Sequence, residues 1–174
     1  MQHPLHIVTG APGAGKSTAL AAFLQLKSDY LAFDIDWLTV PASDLAGKDI
    51  IFDQSTWKPY GAVWFEVLHA IHRNGKISVF FAPTSPQDIE QHGRPAWCNG
   101  IAWLLLDCDD ATRRSRLKQR PEWTDGMIEE AVDDARLLRQ IVHLRIDTGL
   151  LAPHPVAQLI CDWLQETNDD VAEC

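Results

Sequence analysis

Gly10-Ala11-Pro12-Gly13-Ala14-Gly15-Lys16-Ser17-Thr18 is the stretch on which the reading of this chain turns. It satisfies the phosphate-binding loop pattern G-x-x-x-x-G-K-[ST] at every specified position. The residues ahead of it, Leu5-His6-Ile7-Val8-Thr9, read as a short buried strand. Behind it, Ala19, Ala22, Phe23 and Leu26 fall on one face of a helix. Strand, glycine-rich turn and helix, in that order, are the context that gives the pattern physical meaning.

Glycines let a backbone curl around a phosphate and aim its N–H groups inward. The N-terminus of the following helix adds partial positive charge. In such a loop the lysine, here Lys16, reaches the β- and γ-phosphate oxygens, and the hydroxyl, here Ser17, ligates Mg²⁺. Residues 10–18, from Gly10 to Thr18, are therefore the expected nucleotide-binding residues.

Outward from the loop, apolar runs alternate with helical periodicity. Tyr30-Leu31-Ala32-Phe33 reads as a second strand ending at Asp34-Ile35-Asp36, followed by a polar, turn-rich stretch over residues 39–59. Trp64, Val67, Leu68 and Ile71 mark a helix that Asn74-Gly75 stops. Residues 77–81 form a third strand. Residues 83–100 are punctuated by proline and glycine and leave room for one short helix. Residues 101–106 form a fourth strand, and Asp109 or Asp110 caps a helix running to about Arg120. Ile128, Ala131, Val132, Ala135 and Leu138 define another helix, residues 144–147 a fifth strand, and Val156, Leu159, Ile160 and Trp163 the buried face of the last helix. Five apolar strands separated by helices predict a parallel sheet covered on both faces, a three-layer α/β domain. Ligands of such sheets sit outside the carboxyl ends of the strands.

The 174 residues suggest one domain, 1–174, with a frayed polar tail over residues 167–174. No apolar run approaches the roughly 20 residues that span a bilayer, and the first residues lack the charged and apolar regions of a signal peptide. The four cysteines have no metal-like spacing and read as reduced thiols of a cytoplasmic protein. A net charge of −9 weighs against a broad nucleic-acid surface. The histidines read as core or surface residues.

Two features bear on the fate of the phosphate. A carboxylate at the end of the second strand can take the proton of an acceptor hydroxyl during transfer. Asp36 is the first choice, with Asp34 as helper, although turn aspartates that satisfy local N–H groups fit the same residues. Arg113, Arg116 and Arg120 share a helical face within a run of five basic residues in eight positions. Such cations can offset charge on a transferred phosphoryl group. Trp37, Trp57, Trp64 and Trp123 are placed to touch a ligand, whereas Trp103 and Trp163 read as core.

Taken with residues 31–36, Arg116-Leu117-x-x-Arg120 and Ile146-Asp147-Thr148-Gly149, the loop resembles that of P-loop kinases of the nucleoside-monophosphate-kinase-like group. The resemblance is greatest to small-molecule kinases such as chloramphenicol phosphotransferase, shikimate kinase and gluconate kinase. It implies a strand order of 2-3-1-4-5 and ATP with Mg²⁺ at residues 10–18. It implies Asp36 as base, Arg116 and Arg120 as arginines of a short lid (residues 116–126), and a segment after Asp147 bordering the adenine. It also implies an acceptor pocket built from Asp34, Asp36, Trp37, Trp57 and Trp64. The implied activity is ATP- and Mg²⁺-dependent phosphorylation of a small molecule's hydroxyl by a monomer or homodimer, away from membranes and nucleic acid. The chain departs from many relatives at the end of the third strand, which reads Phe81-Ala82-Pro83-Thr84 and carries no acid. Alternatives are a P-loop NTPase switch, a polynucleotide 5′-hydroxyl kinase and a kinase acting on nucleotide-sugars.

Overall fold

The computed structural model describes residues 3–26 and 28–172. The elements run β1 (Leu5–Thr9), α1 (Lys16–Gln25), β2 (Leu31–Asp34), a 3₁₀ turn (Ile35–Leu38), α2 (Thr39–Ala46), a second 3₁₀ turn (Gln54–Thr56), α3 (Trp57–Arg73), β3 (Ser78–Phe81), α4 (Pro86–His92), β4 (Ile101–Asp107), α5 (Asp110–Lys118), α6 (Asp125–Ile141), β5 (Arg145–Asp147) and α7 (Pro153–Ala172). All strands are parallel, in the order β2-β3-β1-β4-β5. This is the P-loop NTPase arrangement, and it matches the expected strand order.

Alternation along the central strand explains the layers. Side chains two apart in a strand share a face. Leu5 and Ile7 pack with Tyr60, Trp64 and Leu68 of α3, whereas Val8 packs with Leu20 and Phe23 of α1 and Ile160 and Leu164 of α7. With both faces covered, β1 is buried at every position, including His6, whose Nε2 lies 2.8 Å from Thr167 Oγ1 and whose ring meets Trp163 edge-on at 5.3 Å. Because β1 is central, the loop that follows it emerges at the middle of the sheet's carboxyl edge.

Four local expectations are corrected. Residues 39–46 are a helix, α2, within the stretch expected to be turns. Pro41 sits in its first turn, where a missing N–H breaks no helical bond, and Gly47 at φ 63° ends it. The helix α3 starts at Trp57, ahead of Pro59, for the same reason. Leu159 is 42% exposed. The buried arc of α7 centres on Ile160, with Ala157 and Leu164 replacing Leu159, which lies about 100° away on an ideal helix. The tail expected to fray from residue 167 is helical through Ala172, and Asn168 is buried. Glu173 and Cys174 lie outside the described residues.

Cys98 and Cys108 are buried and Cys161 half-buried, and none forms a disulfide. Among the described residues no helix is long and apolar enough to cross a membrane.

Candidate active site

The loop begins where β1 passes closest to its neighbour. A Cβ on Gly10 would lie 2.5 Å from the Leu106 carbonyl oxygen of β4, so only glycine allows that approach. Gly15, at φ 87°, turns the chain into α1 without a side-chain cap. By contrast α4, α5 and α6 are capped by Ser85, Asp109 and Thr124. The first-turn N–H groups of α1 are thus left to a ligand, the arrangement that suits an anion. Ser17 and Thr18 are exposed on that turn.

Lys16 folds back so that its ammonium donates to the Gly10 carbonyl at 2.5 Å. The residue is partly exposed, yet burial around the ammonium pushes its pKa down to about 8 against the pull of Asp34 and Asp36. Asp34 ends β2 and is 7% exposed. Its Oδ1 accepts from the Asp36 N–H at 3.0 Å, capping the 3₁₀ turn, and burial raises its pKa. Asp36 stands exposed on that turn. The pair therefore divides into a buried cap and an accessible carboxylate, both near Lys16.

The basic run divides too. Arg113 is fully buried. It donates to the Ala11 and Pro12 carbonyls (3.2 and 2.5 Å) and to Asp107 Oδ1 (2.6 Å), bracing the back of the loop. Asp107 is held on its other side by Arg139 of α6, at 2.6 Å. Arg116 donates to the Gly13 carbonyl (3.1 Å), the Thr148 hydroxyl (3.0 Å) and the Thr148 carbonyl (2.7 Å). Thr148 Oγ1 donates to the Ala14 carbonyl at 2.8 Å, tying the end of β5 to the loop. Arg120 lies two residues past the end of α5, exposed, close enough to Lys16 to lower its pKa further. Of the three arginines expected on one face, one is structural, one edges the loop and one is open.

A cavity of about 320 Å³ lies beside the loop, lined by Gly15, Thr18, Ala19, Arg116, Thr148, Leu151, Pro153 and Val156. Its lining mixes apolar and polar side chains, the character of a small-molecule site. Its position bears on the expectation that the segment after Asp147 borders the base.

The tryptophans separate. Trp64 is 2% exposed and spends its Nε1–H on the Ile35 carbonyl at 3.0 Å, so it is core rather than pocket wall. The Tyr60 hydroxyl donates to the same carbonyl. These two bonds pin the 3₁₀ turn that carries Asp36 onto α3. Trp37 and Trp57 are 50% and 49% exposed, and the Trp57 Nε1–H donates to the Ile50 carbonyl at 3.1 Å. Trp123 is half-buried against Leu117, Ile128 and Ala131. Sequence reading missed Tyr60 and Arg139. Both act through backbone carbonyls or across helices, and neither carries a local sequence pattern.

No protein-family model and no curated protein sequence matches the chain. Solved structures do match in fold. A gluconokinase from Sinorhizobium meliloti 1021 superposes with a TM-score of 0.63 at 14% identity, covering 98% of this chain and 97% of that one. The tunicamycin resistance protein of Deinococcus radiodurans gives 0.64 at 16% identity over 93% and 95%. The shikimate kinase of Acinetobacter baumannii, in complex with shikimate, gives 0.59 at 18% identity over 94% of each chain. The fold is therefore that of P-loop kinases over nearly the whole length.

Proposed function

We propose that the protein transfers the terminal phosphoryl group of ATP to a hydroxyl of a small molecule, with Asp36 as the base. The observation that carries this is the exposed Asp36 carboxylate beside Lys16, on a turn pinned by Tyr60 and Trp64. Phosphoryl transfer asks mainly for positioning and for charge compensation. The loop N–H groups and Lys16 would hold the phosphates, Arg116 and Arg120 would flank them, and the cavity beyond Thr148 would take the base. The acceptor oxygen attacks the terminal phosphorus, the bond to the departing ADP oxygen breaks, and the hydroxyl proton passes to Asp36. Residues 116–126 would form a short lid.

Magnesium fits the donor set. Among the described residues no group of three or more acidic, histidine or cysteine side chains could hold a metal. Ser17 and the carboxylates of Asp34 and Asp36 supply hard oxygens, as suits an ion bound mostly through phosphates and water. When bound it would neutralise phosphate charge. An ATP-rich cytoplasmic setting suits this reading.

The test incubates the protein with γ-labelled ATP, Mg²⁺ and pooled metabolites, nucleosides and antibiotics, and separates the labelled products. Label in an organic phosphate, lost in Asp36→Asn while nucleotide binding persists, is the expected result. Full transfer by Asp36→Asn refutes the base assignment. One observation favours a second reading, an NTPase switch: β3 ends at Phe81 and runs on into Ala82-Pro83-Thr84, without an acid to position water or metal. Label released only as inorganic phosphate is its signature. A polynucleotide 5′-hydroxyl kinase would need a basic strand groove, which a net charge of −9 does not favour.

A further inference from the structure

The acceptor side of the site is poor in usable cations and rich in open aromatic surface. Residues 35–66, which run from the Asp36 turn into α3, hold five carboxylates against two lysines. Lys48 is paired with Asp53 at 3.3 Å and bonded to Ser55 at 3.2 Å. Lys58 lies two positions before Tyr60, about 160° round α3 from the side that reaches the Ile35 carbonyl. The next basic residues along the chain, Arg73, Lys76 and Arg94, belong to the far edge of the sheet. Arg73 ends α3 just ahead of the start of β3, and Arg94 precedes Cys98 to Gly100, whose carbonyl receives the Leu5 N–H at the start of β1. On the nucleotide side, Arg113 and Arg116 are spent on loop carbonyls, Asp107 and Thr148.

Against this stand two half-exposed indoles, each anchored at one end. Trp37 meets Phe33 edge-to-face at 6.3 Å, and Trp57 is fixed through Ile50. Phe33 and Ile50 belong to the apolar cluster that supports the Asp36 turn, and Phe52, next to this anchor, is 75% exposed. Small anionic ligands are ordinarily held by forked Arg or Lys contacts. A carboxylate or phosphate placed here would instead face Asp34 and Asp36, and the open cations near them among the described residues, Lys16 and Arg120, are the ones the reading above gives to the nucleotide phosphates.

Resting on the phosphotransferase reading above, we propose that the acceptor is an alcohol without any anionic group, carried on an aromatic or otherwise apolar body that packs on Trp37 and Trp57. Specificity then comes from charge exclusion and ring stacking together.

The test uses matched probes, phenyl β-glucoside and phenyl β-glucuronide, which share the sugar ring, its three ring hydroxyls and the aromatic group and differ at C6, a hydroxymethyl in one and a carboxylate in the other. Each is titrated into protein saturated with a non-hydrolysable ATP analogue and Mg²⁺, reading indole fluorescence, and transfer from γ-labelled ATP is scored separately. The glucoside is expected to bind about tenfold more tightly or better. Trp57→Ala should lose most of that binding, and Asp53→Asn, which frees Lys48, should narrow the preference. Equal or tighter binding of the glucuronide overturns the proposal. So does failure of both probes to bind into the millimolar range while ATP still binds, and that result leaves the kinase reading standing. Indoles shielded from a soluble quencher until the protein is diluted would make a second copy of this chain the occupant, and would also overturn it.

Discussion

Raising the pH should weaken nucleotide binding well before it unfolds the protein, because the Lys16 ammonium already sits at its limit. Its pKa is pushed down to about 8, chiefly by burial of the charged end against the Gly10 carbonyl. Phosphate oxygens would add opposite charge at close range, so the pKa must rise when nucleotide binds. Affinity is then proportional to the fraction of free protein in which Lys16 is protonated. With a value near 8, that fraction is close to one at pH 7 and about one in eleven at pH 9. Binding should therefore weaken about tenfold between pH 7 and pH 9, falling about tenfold per further unit until the bound-state pKa is reached. The terminal phosphate, with a second pKa of about 6, contributes little over this window. A fluorescent ATP analogue with Mg²⁺, titrated from pH 6.5 to 9.5 at fixed ionic strength, measures it directly. Lys16→Arg keeps its charge throughout and should give a flat profile at lower overall affinity. A wild-type affinity that holds within about twofold across that range would refute the account of Lys16, and with it the idea that the buried ammonium meets the phosphates.

Two further outcomes follow from buried groups. His6 is held down to about 4 from 6.5, mainly by burial. The folded value lies below the unfolded one, so the unfolded chain takes up the extra proton and stability falls as pH drops from 6.5 through 4. The shift corresponds to about 3 kcal/mol, and urea denaturation of His6→Gln against wild type across that window should show most of the difference. A parallel pH dependence in the two proteins would sink it. Arg113→Met leaves Asp107 buried with Arg139 as its nearest remaining partner. Loss of one member of such a pair costs about 3–5 kcal/mol, and the partner that remains places the expected loss near the lower end. Because Ala11 and Pro12 lose their brace, ATP affinity should fall as well, measured by thermal melting with and without nucleotide. A variant that melts lower yet binds ATP as wild type would confine Arg113 to stability.

Much of the fold was legible because central parallel strands are apolar throughout. Residues 5–9 match β1 at both ends, and the spacing of Ile128, Ala131, Val132, Ala135 and Leu138 recovers the buried face of α6 residue for residue. The helix α2 was hidden by Pro41 and by polar residues that suit a turn as well as a short helix. Its stability comes from contacts such as the Thr39 hydroxyl on the Asp36 carbonyl at 2.7 Å, which no local pattern encodes. At the site, the loop announced itself, but the sorting of like residues did not. Asp34 and Asp36, or Arg113 and Arg116, look alike in sequence. What separates them is what waits opposite, a backbone N–H for Asp34 and a buried carboxylate for Arg113, a fact of three-dimensional packing. Trp64 shows the same limit: an aromatic beside a presumed pocket was drawn inward by a single carbonyl.

The tie from Thr148 and Arg116 to the loop has a consequence for how the protein comes into being. The loop is made among the first eighteen residues, yet its partners come more than a hundred residues later, and the cavity beside it is completed by Leu151, Pro153 and Val156. A chain emerging from the ribosome can thus display the whole glycine-rich segment and still have no place to hold a nucleotide. The ligand can reward only the finished product. Nucleotide would act late, tightening a sheet whose last strand has already docked, so its stabilisation falls on completed molecules and leaves stalled or truncated ones to proteolysis.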